Sequence, residues 1–424
     1  MKLIADLHIH SSHSRACSKD LSLENLEKYA RIKGLGLLGT GDFTHPKWIQ
    51  EIKSKLREGE NEILYSSSDF PFLLQTEISL AYTQGGKGRR IHYIILAPSL
   101  EVVNQITEFL LTKGRVDYDG RPIFGMSSVA LLDELMKISS EIELIPAHAW
   151  TPWFGIFGSE SGFDSLQECF GDKANKIHAI ETGMSSDPAM NWRIPWLDGI
   201  TLMSNSDCHS FWPWRIGREA NVLEMKELSY KNIIAAIREG KGFVETIEVD
   251  PGYGKYHFDG HRLCGVVMSP QESARHSNIC PKCGKKMTIG VLNRVEQLAP
   301  VDRPEGFARK GAVPFKSLIP LSEIIAELNS SPVASKKTWQ VYNALLEKFG
   351  TEFNILLDAT ESELKTVVDE KLAAAIMKNR EGKIAVQPGY DGEYGKPVLD
   401  GSIGDREEKK AELPRKQKGL TDFF

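Results

Sequence analysis

Residues 1 to about 245 alternate between short apolar runs and amphipathic ones. The runs of strand length are LIADLHIH (3–10), LGLLGTGD (35–42), FLLQTEISLAY (72–82), IHYIILAP (91–98), ELIPAHA (143–149), IHAIETG (177–183) and ITLMSNSD (200–207). Between them, stretches such as LENLEKYARIKG (23–34) and SVALLDELMKIS (128–139) repeat their apolar positions with the helical period. Strands alternating with helices predict an α/β architecture, and about seven such units suggest a barrel. His8, Asp42, Glu77, His148, Glu181 and Asp207 fall at or just past the carboxyl ends of the apolar runs. Barrels of this kind build their active sites there.

The pattern changes at about residue 246. Residues 246–295 are rich in glycine and aromatics (DPGYGKYHFDGHRLCGVVMSP) and contain CPKCGKK, and they read as a small separate domain. Helical spacing returns over 296–400, in Leu321 to Asn329, KKTWQVYNALLEKFG and ESELKTVVDEKLAAAIMKNREG. Residues 401–416 are charged and poor in apolar residues, the signature of a flexible linker. The chain ends in QKGLTDFF (417–424).

Composition adds limits. With 424 residues and 41% hydrophobic content the chain can bury substantial cores. A net charge of -5 argues against a uniformly basic nucleic-acid coat but leaves room for a local basic groove. Neither a secretion signal nor a membrane span is expected, which places the protein in the cytoplasm. Of six cysteines, Cys17, Cys169 and Cys208 are scattered, whereas Cys264, Cys280 and Cys283 cluster at metal spacing.

Two groups of residues carry chemistry. In the first, His8 and His10 share one face of a strand, because side chains alternate with period two. Asp207-x-His209 repeats that arrangement, and His92, His148, His45, Asp42 and Glu77 join them, with His13 nearby. So many nitrogen and oxygen ligands at strand ends predict two or three closely spaced ions with Glu77 as a bridge, a cluster suited to hydrolysing phosphate esters. In the second group, Cys280-x-x-Cys283 is half of a zinc knuckle. His261-x-x-Cys264 has the same spacing and completes it, with His257 as the alternative to His261. Four ligands leave no open position, so this site is structural. Basic and aromatic residues around it (Arg262, Lys282, Lys285, Lys286, Tyr253, Tyr256) suit a nucleic-acid backbone.

DLHIHSSHS, TGDFTHP, TEIS, PAHAW and SNSDCHS resemble the motifs of the PHP family of metal-dependent phosphoesterases. The resemblance implies a distorted (β/α)7 barrel over 1–245, with a zinc-binding domain (246–295) and a helical C-terminal domain (296–400) attached. It implies that His8, His10, Glu77 and Asp207 hold the first ion and are central to catalysis, and that Glu77, His92 and His148 hold the second. His209 with Asp42 or His45 would hold a third; GDFTH departs from the usual TDH there. Zinc suits the histidine-rich positions, and magnesium or manganese the carboxylate-rich ones. Gln417, Leu420, Phe423 and Phe424 fit Q-x-x-L-x-x-F-F, the pattern of peptides that bind the sliding clamp PCNA. A clamp of that kind beside a PHP core implies an archaeal protein at the nucleoid. Together these parts, with SSDPAMNWR and QPGYDGEYGK, resemble archaeal PHP-domain DNA repair endonucleases. Those enzymes cut on the 5′ side of uracil, hypoxanthine and abasic sites, leaving a 3′-hydroxyl and a 5′-phosphate.

Reading a damaged base requires taking it out of the stack. Candidates to stack on or wedge beside it are Trp150, Trp153 and Phe154, which follow His148, and Trp212, Trp214 and Arg215, which follow His209. Arg89 and Arg90 at a hairpin tip are candidates for gripping phosphate, and Ser185, Ser186, Asn191 and Arg193 for contacting strand or base. Two other functions fit parts of the chain. A phosphatase of a small phosphomonoester would use the PHP centre but leave the zinc knuckle and terminal peptide without a role. A non-catalytic, clamp-tethered DNA-binding module would not need the intact ligand set.

Overall fold

The structure, a computed structural model, describes residues 1–399. The expected linker (401–416) and clamp peptide (417–424) lie outside the described residues. A mixed eight-stranded sheet forms one wall. Its order is Phe315–Ser317, Phe243–Glu248, Ala220–Glu224, Lys2–Asp6, Leu37–Gly39, Pro71–Leu73, Leu64–Tyr65 and Arg57–Glu58. Lys2–Asp6 is central, parallel to Leu37–Gly39 and antiparallel to Ala220–Glu224. A second sheet is built on the long hairpin Gln75–Gln84/Lys87–Leu96, with Glu143–Pro146 antiparallel to its second strand. Ala179–Glu181 and Thr201–Met203 form a parallel pair.

Single main-chain hydrogen bonds join these sheets into a circuit. Ala97 donates to Leu74, Ala149 to Glu181 and His10 to Cys208, while the bond from Thr182 to Met203 extends the parallel pair. In place of the continuous seven-unit barrel expected, the described residues show three hydrogen-bonded sheets with single-bond joints. A reason for the irregularity is the antiparallel hairpin, which interrupts the strand–helix alternation. The run 72–82 is also two strands, not one, so Glu77 lies near the start of a ten-residue strand and not past a carboxyl end.

The helices follow from local signals. Leu23–Lys33 starts at Ser22, whose hydroxyl accepts the Asn25 N–H, and stops at Gly34 in the left-handed region (φ 99°). Residues 321–380 supply Leu321–Leu328, Lys336–Phe349 and Glu370–Arg380, with the short Glu361–Leu364 between the last two. They dock on the rest of the chain through a buried ion pair. Lys33 Nζ lies 2.7 Å from Glu352 Oε1, and the Tyr342 hydroxyl donates to Glu352 Oε2 at 2.6 Å. The boundary expected at 245/246 falls inside the strand Phe243–Glu248. The chain then leaves the sheet for the cysteine-rich segment and returns as Phe315–Ser317, parallel to the strand it left. The cysteine-rich module is therefore inserted between two neighbouring strands.

Two buried glutamates sit beneath the circuit. Burial pushes Glu248 up to about 8, although it accepts from Thr246 and Thr182. Burial, reinforced by the charge of Glu248, also raises Glu219. An unfolded glutamate titrates near 4.5, so the raised value of Glu248 favours folding at acidic pH, and that advantage is lost as pH climbs from about 4.5 through 8; the raised Glu219 acts in the same direction. For one carboxyl the slope approaches about 1.4 kcal/mol per pH unit. Denaturant melts of Glu248→Gln between about pH 5 and pH 9 are expected to show a shallower alkaline loss than the parent protein. Parallel curves would refute the assignment.

Candidate metal centre and nucleic-acid face

The chain concentrates imidazoles and carboxylates where the strands converge. Asp42 (φ 39°), His148 (φ 31°) and Asp207 (φ 45°) all hold left-handed backbone. Non-glycine residues take that conformation at a cost, and they do so mostly where function requires a side chain to be aimed. His8, His10, Glu77 and Asp207 each offer one ligand atom, all within 4.8 Å of one another, and Glu77, His92 and His148 form a second such group. Glu77 belongs to both. Its Oε2 lies 3.2 Å from His10 Nε2, and its Oε1 lies 2.9 Å from His92 Nδ1 and 3.2 Å from His148 Nε2. Asp207 Oδ1 is 3.1 Å from His10 Nε2. His8 Nε2 is buried without a hydrogen-bond partner, 3.6 Å from both Glu77 and Asp207. A buried nitrogen orphaned between two carboxylates fits a cation that all three would ligate.

A second layer holds these rings in place. His8 Nδ1 faces Glu181 Oε1 at 3.0 Å, and Glu181 also accepts the His148 N–H at 2.7 Å. His10 Nδ1 faces Asp42 Oδ1 at 3.0 Å, while Asp42 Oδ2 accepts from the Ser11 N–H, the Ser11 hydroxyl and the Ser14 hydroxyl. His148 Nδ1 meets the Thr151 hydroxyl at 3.1 Å. With Nδ1 occupied, Nε2 of each of these three rings points to the centre, the usual carboxylate- or hydroxyl-buttressed ligand geometry. Burial disfavours charge here, but the field of neighbours wins at several positions. His8 is held well above its usual range by Glu181, Glu77 and Asp207, and His10 by Asp42 and Asp207. Glu77 and Asp207 are held well below theirs by surrounding imidazoles, with Arg121 contributing at Glu77. Burial dominates at His92, pushed down to about 3, and at His209, pushed down to about 4. Those two rings are neutral, the form that binds metal.

The grouping expected for a third ion is not assembled. Asp42 is turned to His10 and the serines, with both oxygens engaged. His45 stacks on His13 at 4.2 Å between ring centroids, whereas His209 lies 4.6 Å from the His10 ring. Asp42 thus sits behind a ligand instead of beside His209. At the cysteine-rich module, His261, Cys264, Cys280 and Cys283 bring four ligand atoms within 4.8 Å of one another. Against the burial that would raise it, the Lys282 and Cys283 N–H groups and His261 pull Cys280 down to about 6. His257 instead stacks on Phe258 and turns Nδ1 toward the Ser185 carbonyl, so His261 completes the set.

Two functional candidates were not assigned from sequence. Glu181 had a visible signal, ending an apolar strand like the ligands do. Arg121 had none. It comes from a loop, and its Nη1 lies 3.1 Å from Glu77 Oε2. Asp119 accepts the Arg121 N–H, and a side chain at Gly120 would collide with Asp42 Oδ2 at 2.2 Å, so this loop is pressed against the centre.

Several expected DNA contacts are corrected by burial. Arg89 points inward from its hairpin, pairing with Glu168 and lying 3.9 Å over the Phe163 ring; its neighbour Arg90 is exposed. Trp150 is a core residue that donates to Asn191 Oδ1, and the Asn191 amide donates to the buried Ser186 hydroxyl. Ser185 is buried against Gly254. Arg193 is buried and forms a two-bond pair with Glu296. Alternating aromatic and polar residues beside ligands identify a dense region but do not say which side chains face out. Trp153, Phe154, Trp212, Trp214 and Arg215 remain partly accessible. Phe154 lies 4.5 Å from the His92 ring, and Trp212 and Trp214 stack in parallel at 5.3 Å.

Comparison with known proteins finds relatives over nearly the whole chain. The crystal structure of the lesion-specific endonuclease PfuEndoQ from Pyrococcus furiosus superposes with a TM-score of 0.83 at 31% identity, covering 94% of this chain and 95% of that one. The chain belongs to the endonuclease Q family. A second structure of that family, endonuclease Q in complex with a 27-mer duplex substrate carrying an abasic lesion at the active site, gives a TM-score of 0.84 at 31% identity, covering 94% and 96% of the two chains. YqxK of Bacillus subtilis is 29% identical over 417 residues, 93% of this chain and 99% of that protein. MJ0043 of Methanocaldococcus jannaschii is 33% identical over 256 residues, 59% of this chain; the match spans only 31% of MJ0043. Residues 320–383 match the MJ0043 C-terminal domain family.

If Asp42 orients His10, Asp42→Ala is expected to weaken metal binding at the centre by about 10–100-fold while leaving the fold intact. Metal titration followed by elemental analysis checks this. Unchanged affinity would remove Asp42 from the site.

Proposed function

We propose that this protein is a metal-dependent DNA repair endonuclease with a PHP-type barrel. It would hydrolyse the phosphodiester on the 5′ side of deaminated bases, uracil and hypoxanthine, and of abasic sites, leaving a 3′-hydroxyl and a 5′-phosphate. The observation that carries the reading is Glu77, shared by two ligand groups in a chain matched over 94% of its length by an endonuclease Q bound to lesion-bearing duplex.

The residues present suit the roles. His8, His10, Glu77 and Asp207 would hold one divalent ion, and Glu77, His92 and His148 a second. Such ions, when bound, acidify water and neutralise charge on phosphoryl oxygens. Zinc suits the imidazoles, and manganese or magnesium can serve beside the carboxylates. Glu181, Asp42 and Thr151 orient the imidazoles. Arg121 brings a permanent positive charge to the same spot and would favour a pentacovalent phosphorane-like charge distribution over the ground state. Partly exposed Trp153, Phe154 and Trp212 offer faces against which an extruded base or its neighbours can stack. The Cys3His group would hold a structural zinc that stabilises the inserted module. Gln417, Leu420, Phe423 and Phe424 would tether the enzyme to PCNA. No helix among the described residues is long and apolar enough to cross a membrane.

Incubation with end-labelled duplexes bearing one uracil, hypoxanthine or abasic site tests the reading. The expected product maps to the phosphate 5′ to the lesion. Turnover of a small phosphomonoester with no cut in any duplex would overturn it in favour of a phosphatase. Glu77→Ala and Asp207→Ala are expected to lose on the order of 10³-fold or more in cleavage, and Arg121→Ala about 10²-fold with metal content retained. Retained cutting by either carboxylate variant would show that the catalytic assignment is wrong. Removing residues 417–424 is expected to abolish PCNA binding in a pull-down without changing cleavage of free duplex.

A further inference from the structure

Next to the metal centre, three cations from two well-separated stretches gather around one phenol. Arg215 and Arg218 follow His209 on the loop that closes the circuit, Lys255 belongs to the inserted segment, and Tyr394 comes from the last described hairpin. The Arg215 guanidinium lies 5.5 Å from the Tyr394 ring and Lys255 Nζ lies 4.6 Å from it. Arg218 is buried; its Nε and Nη2 donate to the Ser206 carbonyl, one residue before Asp207, and its Nη1 has no hydrogen-bond partner. Among the described residues none of the three cations has a carboxylate within 4.0 Å. The positive field is strong enough to pull the Tyr394 phenol down despite the burial that opposes it.

The cluster is built, not incidental. Tyr394 reaches Arg215 because the hairpin lies backbone-to-backbone on the inserted segment. Gly389 N–H donates to Gly252, Gly392 N–H to Lys255 and Gly395 N–H to Tyr253. A Cβ at Gly395 would lie 2.0 Å from the Gly252 carbonyl oxygen, and one at Gly254 would lie 2.3 Å from the Ser185 hydroxyl. Glycine is required at both contacts, so the placement of Lys255 and Tyr394 is set by the main chain.

We propose that Arg215, Arg218, Lys255 and Tyr394 form a second phosphate subsite, which holds a backbone phosphate of the DNA strand beside the scissile one. The inference rests on the endonuclease reading above. Guanidinium groups bind phosphate oxygens through paired N–H donors, the ammonium adds a point charge, and a phenol can donate to the same oxygens. Arg215 and Lys255 are partly exposed and have no carboxylate within 4.0 Å among the described residues, so they can face an anion, while Arg218, buried behind them with Glu219, Asp207 and Glu323 in its field, adds positive charge without touching the ligand. A subsite one phosphate away from the cut would fix the strand's register against the metal centre without taking part in bond breaking.

The salt dependence of DNA affinity tests this. Each cation that neutralises a phosphate contributes about one unit to the slope of log affinity against log salt. Affinity of the metal-loaded full-length protein for a lesion duplex is measured by fluorescence anisotropy across KCl concentrations, with a nuclease-resistant methylphosphonate at the scissile linkage. Lysine-to-glutamine exchange keeps most of the stem that packs on Tyr394, so Lys255→Gln is expected to fold normally, with an unchanged melting temperature. Its slope should be shallower by about one, and Arg215→Gln should behave alike. Parallel slopes with a lowered melting temperature would overturn the proposal and reduce the cluster to cation–π packing. Parallel slopes at an unchanged melting temperature would overturn it too. Cleavage of the natural duplex is followed separately. If the parent protein binds but never cuts, the endonuclease reading fails, whereas the slope difference still reports on the phosphate contact.

Discussion

The site depends on one buried carboxylate. Glu77 is inaccessible to solvent, and an ionised group in that position persists only if charges and donors surround it. His8, His10, His92, His148 and Arg121 do so, drawn from four separate parts of the chain. Each must therefore arrive within a few ångströms of the same two oxygens. Of the residues around it, His148 and Asp207 hold left-handed backbone that aims their side chains toward it.

The surrounding layer explains why so much of the circuit is polar. Asp6 accepts from Ser206 and Gly217, and Asn221 bridges Ala5, Ser204 and Asn205. These contacts close the gap between the first strand and the Asp207 loop, where ladder pairing has ended. A buried polar network is stabilising only when its members are satisfied. Here most are, and one exception, His8 Nε2, lies between the Glu77 and Asp207 carboxylates.

The inserted module and the terminal helices reach the same centre from outside. Arg294 donates to the Phe157 and Phe163 carbonyls and Ser159 donates to Ile289, tying the aromatic loop after His148 to the cysteine-rich insertion. The helical part is anchored by Lys33 and Glu352. Trp339 from that part joins Trp212 and Trp214 in one aromatic cluster.

Sequence by itself determined the α/β alternation, the helices, both ligand groups joined at Glu77 and the Cys3His set. The alternation, the helices and the Cys-x-x-Cys half of the zinc group follow from periodicity and spacing, which are local properties, whereas the division of the ligands into two groups came from the resemblance of the motifs to a known family. It did not determine which polar side chains face the centre from behind, as Asp42 and Glu181 do, or that Arg121 arrives there at all. Nor did it separate buried Trp150, Arg89, Asn191 and Arg193 from accessible Trp153 and Trp212, although all sit in segments of similar composition. Those outcomes depend on which distant segment covers a residue. Glu168 and Phe163 capture Arg89, Asn191 captures Trp150, and Glu296 captures Arg193. Only tertiary packing brings such partners together, because each lies 41 to 103 residues away along the chain.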